Sequence, residues 1–414
     1  MKQVFISPHN NASLSTSSTE HHFIFGAGTP STFSNGRIAV CPAAGTLRNL
    51  KIKISVAPGA AKSYVFTVQK NSVDTGLTVT VSGAADITGE DVTNEVTVAA
   101  GDLLSITSAP SGTPTASKLS FSIEFEGDNA NQNFVAASCL AIGVSNTTTQ
   151  YWPIAGMTNA GSTSSAFRGI VIPHDCTLKA VYVKLGSNPG SGNSWEFRIF
   201  KNGTGEATSS FTISGVGPTT GNVTGLSIDL APGDVIALRS VPTSSPLTPD
   251  IQIGVLFESD TDGNSIFPNF SDAFSPSATN YNSANNANPL TDPSATEANF
   301  DGYVGGSFTL KNLHAAVEVA PASGKSWAFT LRKNTADTTV TASIADANTT
   351  ANDTTHTADF VSGDVASFKS VPSGTPTGMT AARYSFTQYI ASAVTSIPNK
   401  IYQLNQAVNR AAYY

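Results

Sequence analysis

The feature that most limits the fold of this 414-residue chain is a long internal repeat. Four markers occur three times, in the same order. The first is an opening strand signal: Thr46-Leu47-Arg48-Asn49-Leu50, Thr177-Leu178-Lys179-Ala180-Val181 and Thr309-Leu310-Lys311-Asn312-Leu313, set 131 and 132 residues apart. The second is an alternating run ending in Lys-Asn, at Phe66–Asn71, Phe197–Asn202 and Phe329–Asn334. The third is Gly-Asp before an apolar run: Gly101-Asp102, Gly233-Asp234 and Gly363-Asp364. The fourth is a proline-bracketed loop, from Pro110 to Pro114, Pro242 to Pro246 and Pro372 to Pro376. A period near 131 residues exceeds the roughly 20–50 residues of a solenoid unit, so each copy is expected to be a domain with its own core.

Within a copy the apolar residues alternate. Ile52, Ile54 and Val56 are separated by Lys53 and Ser55, and Leu119, Phe121, Ile123 and Phe125 by Ser120, Ser122 and Glu124. Period two marks strands with one packed face and one face in water. Charged residues make up only 12% of the chain, and Gly, Ser, Thr, Asn and Ala fill the space, which disfavours long helices. The expected fold is all-β: three tandem antiparallel β-sandwich domains of jelly-roll-like type, plus a short C-terminal helix. An immunoglobulin-like sandwich ranks second, since no Cys…Trp…Cys spacing occurs. The expected boundaries are 1–133, 134–262 and 263–392, with a helical tail at 393–414.

Two segments depart from the repeat. Residues 263–305 are polar with spaced aromatics, among them Phe267, Phe270, Phe274 and Tyr281, and read either as a strand or two with a surface loop or as an arm onto a neighbouring subunit. In the tail, Ile401, Leu404 and Val408 fall on one helical face, which needs a surface to lie on. These seven residues are the candidate partner-binding set.

The search for chemistry returns little. The histidines (His9, His21, His22, His174, His314, His356) have no zinc-protease spacing and read as surface residues; no Cys-x-x-Cys, Gly-x-Ser-x-Gly or phosphate loop occurs. Cys41, Cys139 and Cys176 form no disulfide pattern and read as buried small hydrophobes. Glu124 and Glu126 share a strand face, as a glycosidase pair would, but copy two has Leu256 and Glu258 there and copy three Gln388 and Ile390, so they read as solvent-facing strand residues. The recurring Asp102, Asp234 and Asp364 read as turn formers, with Asp353, Asp359 and Asp364 the one weak calcium candidate. Trp195 and Trp327, matched by Tyr64, read as core. No catalytic residue, cofactor or metal is assigned, and the chain is not expected to be an enzyme.

A net charge of −7 without any basic run argues against nucleic acid, and no apolar stretch reaches bilayer length. The apolar run after Lys2 is too short for a secretion signal, which predicts cytoplasmic synthesis. The Gly-Asp…Pro-Ser-Gly-Thr-Pro…alternating-strand pattern on this Ser/Thr/Asn/Gly-rich chain resembles domains of tailed-phage virion proteins: decoration proteins, head fibres and tail or baseplate accessory proteins. That resemblance implies assembly on a capsid or tail through loops and terminal arms. The implied partners are major capsid or tail subunits, with homo-oligomers or a pseudo-threefold cluster of the copies. A carbohydrate- or receptor-binding module, with host-surface glycans as its partner, is the other class, separable by glycan binding through an exposed Trp or Tyr.

Overall fold

The computed structural model describes residues 1–8, 12–26, 29–34, 36–139, 143–158, 161–164, 168–285, 293–379 and 381–391. Among these the protein is all-β, with only two single-turn 3-10 helices, Ala207–Ser209 and Glu297–Asn299. The tail 393–414, with Ile401, Leu404 and Val408, lies outside the described residues.

The strands form six sheets. In repeat one, the first sheet runs Lys2–Ser7, Leu119–Gly127, Gly45–Ile54, with Thr88–Asp91 and Val96–Val98 sharing the far edge. The second runs Glu20–His22, Leu103–Ser111, Gly59–Lys70, Val73–Gly83. Between the two sheets lies an apolar cluster that includes Leu47, Ile52, Tyr64, Phe66, Ile106 and Ile123. Two further sheet pairs enclose two further clusters, around Trp195 and Phe197 and around Trp327 and Phe329. The strands are amphipathic because their cores are one side chain thick, as in any β-sandwich.

The repeats also share their cores. The opening strands Lys2–Ser7, Gln132–Cys139 and Asn264–Asp272 each lie between two clusters. Phe5 faces the core of repeat one, whereas Val4 and Ile6 on the opposite face enter the core of repeat three. Val135 and Ala137 face repeat two, but Phe134 and Ala136 enter repeat one. Ile266 of repeat three enters repeat two. Phe134 shows how complete the insertion is: its ring lies 4.9–5.1 Å from the rings of Phe5, Phe25 and Phe125, all of repeat one. The contacts run in one cyclic sense and close on themselves.

Side-chain amides reinforce the closure. Gln3 donates from Nε2 to the Phe134 carbonyl at 3.0 Å and accepts from the Phe134 N–H at 3.2 Å. Asn133 accepts from the Ile266 N–H at 3.1 Å. Gln388 accepts from the Val4 N–H at 2.9 Å and donates to its carbonyl at 2.8 Å. At one residue of each opening strand, Val4, Phe134 and Ile266, backbone groups away from the paired neighbour strand are therefore met by a side chain of another repeat, and Gly156–Thr158 of repeat two pairs with Ala137–Cys139.

Three expectations need correction here. First, residues 263–305 do not break the repeat. They hold the opening strand, the strand Asn280–Ser283 and the short strand Gly302–Tyr303, the counterparts of elements in 1–43 and 132–174. Second, Ser120 and Ser122 are 1% exposed, not solvent-facing. Repeat three covers them: Ser120 Oγ donates to the Asp301 carbonyl at 3.1 Å and accepts from the Tyr303 N–H at 2.8 Å. Third, Val56 lies past the end of its strand at Ile54 and is 46% exposed.

Candidate functional site

The aromatic residues assigned to partner binding lie mostly inside the protein. Phe267, Phe270 and Phe274 are buried; Phe267 and Phe274 belong to the repeat-three core, and Phe270 lies under the Arg168 guanidinium at 5.0 Å. Phe274 occupies the place that Leu14 and Val144 fill in the other copies, ahead of a shared turn. These rings fill the chain's own core and are not available to a partner. Tyr281 is half-buried, with Arg332 stacked 5.4 Å from its ring.

The repeated motifs resolve into one structural device. Asn71 donates to Asp102 at 2.8 Å, Asn202 to Asp234 at 2.6 Å and Asn334 to Asp364 at 2.7 Å, across 31, 32 and 30 residues. The second Asp oxygen accepts from the N–H three residues back: Ala99, Ala231 or Val361. The Asn oxygen accepts from the N–H following the Asp. The three Asn residues have φ of 51–54°, which Asn tolerates, and Gly101, Gly233 and Gly363 have φ of 93–100°, which favours glycine. In repeats two and three, burial opposes ionisation of the Asp, yet hydrogen bonds and the lysine ammonium beside it hold its carboxyl below the ordinary value. This is a clasp between two turns, with all its acceptors in use.

The calcium candidates are occupied in the same way. Asp353 accepts from the N–H groups of Thr341, Thr355 and His356; Asp91, its counterpart in repeat one and not among the candidates, accepts from those of Thr78, Thr93 and Asn94. Burial works against the charge at both, but these bonds hold both carboxyls at about 2. Asp359 accepts from Thr309 Oγ1 at 2.6 Å. Among the described residues no three His, Cys, Asp or Glu side chains converge as metal ligands.

Glu124 and Glu126 are tied to one arginine. Arg48 Nε lies 2.8 Å from Glu124, and its Nη2 contacts Glu126. Asn49 adds a bond to Glu124 at 3.2 Å. Lys2 Nζ lies 3.5 Å from Glu124, so two cations face the two carboxylates, and the Glu124 side chain is only 12% exposed, not solvent-facing.

The histidine expectation also needs correction. His22, His174 and His314 are buried. His22 Nε2 sits 2.8 Å from Ser108 Oγ, and burial pushes its imidazole down to about 3. His174 bridges two repeats, Nδ1 at 2.9 Å from Thr387 Oγ1 and Nε2 at 2.9 Å from Ser259 Oγ, and burial lowers it to about 4. It lines an open cleft of about 640 Å³ with Lys311, His314 and Asn352. Both its ring nitrogens have partners, so it is placed to hold a seam closed and not to take up a substrate proton. All three cysteines are buried and in no disulfide, and burial raises the thiols of Cys41 and Cys176 to about 12, far from nucleophilic. Trp152, Trp195 and Trp327 are fully buried, so none can stack on a sugar.

One repeated device escaped notice in the sequence. Ser15, Ser145 and Ser275 each donate a backbone N–H to the side chain five residues on, Glu20, Gln150 and Asn280, at 2.6–2.7 Å. The signal was present as Thr-(Glu/Gln/Asn)-(His/Tyr) at Thr19, Thr149 and Thr279, hidden in Ser/Thr-rich surroundings.

No protein-family model matches the chain, and no curated protein is significantly similar to it.

Proposed function

We propose that this chain is a non-enzymatic structural protein of a virion, a capsid decoration, head-fibre or tail accessory protein, that binds other virion subunits through its loops. The observation that carries this reading is the use of the polar side chains. The repeated Asn, Asp and Ser residues bond within the fold, Gln3, Asn133 and Gln388 bond between repeats, and His22 and His174 are held by hydroxyls. What is left for a partner is a set of exposed loops on a rigid frame.

We read each sheet pair as a jelly-roll sandwich. Numbering the eight main strands of a copy in chain order, one sheet runs 1-8-3-6 and the other 2-7-4-5, which is the order of two nested Greek keys. Jelly rolls recur in capsid proteins, though fold alone does not assign function. The glycan-binding alternative has lost its three tryptophans to the cores.

Mass spectrometry of purified particles from the source of this sequence tests the reading. The chain is expected among the particle proteins at fixed copy number. Its absence from particles that are otherwise complete would refute the proposal.

A further inference from the structure

We propose that the chain docks as a single unit where three identical subunits of a virion assembly meet around a threefold axis. This rests on the structural reading above and names the partner's symmetry.

The argument starts from closure. Like contacts lead from repeat two into the core of repeat one, from repeat three into that of repeat two, and from repeat one into that of repeat three. The short strands agree. Ala39–Val40 lies against Ile251–Ser259, Ile170–Val171 against Ala381–Tyr389, and Gly302–Tyr303 against Leu119–Gly127. Three like steps that return to their start amount to rotation by about a third of a turn at each step. The turns that the three copies share therefore recur three times about one axis, at about the same height.

One set of turns is suited to touch another protein. The proline-bracketed loop of each copy is fixed to the neighbouring turn: the Thr115 N–H donates to the Pro58 carbonyl at 2.8 Å, Leu247 to Pro189 at 3.0 Å and Thr377 to Pro321 at 2.9 Å. The loops hold non-glycine residues in the left-handed region, Thr113 (φ 55°), Ser244 (60°), Ser245 (59°) and Thr375 (51°). Rare backbone held at three matching places marks loops whose shape is set in advance. Apolar side chains stand out beside these loops: Val56 (46% exposed) and Val319 (38%) are counterparts in the turns before Pro58 and Pro321, and Leu247 (55%) follows the proline-bracketed loop of repeat two.

A partner with a single site would engage one tip and leave two in water. Three identical subunits around an axis engage all three, and linked contacts strengthen binding by about 10²–10⁴ beyond one.

The test uses purified particles. Isotope-labelled peptides give the copy ratio of the chain to the subunit it contacts, and amine cross-linking maps Lys62 and Lys325, which flank the tips of repeats one and three. One chain per three subunits is expected, with both lysines joined to the same partner peptide. One chain per subunit, or cross-links from the two lysines to different proteins, overturns this inference and leaves the virion reading standing. Absence from particles overturns both. Val56→Asp, Leu247→Asp and Val319→Asp, all exposed, are expected to weaken particle binding by about tenfold singly and to abolish it together. Full loss from one substitution alone, with the fold intact by circular dichroism, also overturns it.

Discussion

Gln388, in the last strand, holds both backbone polar groups of Val4, in the first: it accepts from the Val4 N–H at 2.9 Å and donates to the Val4 carbonyl at 2.8 Å. Both residues are buried, so no water replaces either bond. Gln388→Met keeps the volume and removes both partners. The expected cost is about 1–3 kcal/mol for each orphaned group. Urea denaturation reads it as a lower midpoint; an unchanged midpoint would show that the clasp contributes nothing.

Phe134 belongs to repeat two in sequence and to repeat one in packing. Phe134→Ala is expected to destabilise by about 3–5 kcal/mol, as for other large-to-small core changes. It should lower the unfolding of repeats one and two together. Calorimetry showing repeat two unaffected would contradict the shared core.

The Asn–Asp clasps are separate in space, so Asp102→Ala, Asp234→Ala and Asp364→Ala should act independently. Each is expected to cost about 1–2 kcal/mol, and the triple variant the sum. Strong non-additivity in denaturation midpoints would mean that the three turns are coupled.

The buried histidines make stability depend on pH. Burial holds His174 at about 4 and His22 at about 3, against an ordinary 6.5. Between 6.5 and those values the unfolded chain binds protons that the folded chain does not. Their contribution is full above pH 6.5, falls as pH drops toward 4, and levels off near 3. Asp301 acts oppositely, since burial raises its carboxyl to about 6 and protonation there favours the fold. His174→Gln should flatten the decline between pH 6.5 and 4; denaturation midpoints with an unaltered slope would rule out His174 as its source.

Much of the frame is legible in the sequence because alternation and turn chemistry are local. Tyr64, Trp195 and Trp327 read as core and are core. The recurring aspartates read as turn residues, and they are, although their asparagine partners, about 30 residues earlier, were not recognised. What alternation cannot report is a neighbour. Ser120 and Ser122 alternate as water-facing residues do, yet another repeat covers them. Phe267 and Phe274 leave a choice between a strand or two with a surface loop and an arm, because the copy-one and copy-two counterparts of that segment differ in residue type; the strand reading is the one the fold bears out. Leu14, Val144 and Phe274 do the same work with different side chains.

The shared opening strand also bears on the order of events during synthesis. Val4 and Ile6 are synthesised well before the core that receives them, which is built from residues 267–386. Until then their outer faces have nowhere to go. Pairing across so much of the chain is slow and leaves apolar surface uncovered meanwhile. A chain that stops before that later core is made would therefore keep a sticky opening strand, its outer face waiting on a repeat not yet synthesised.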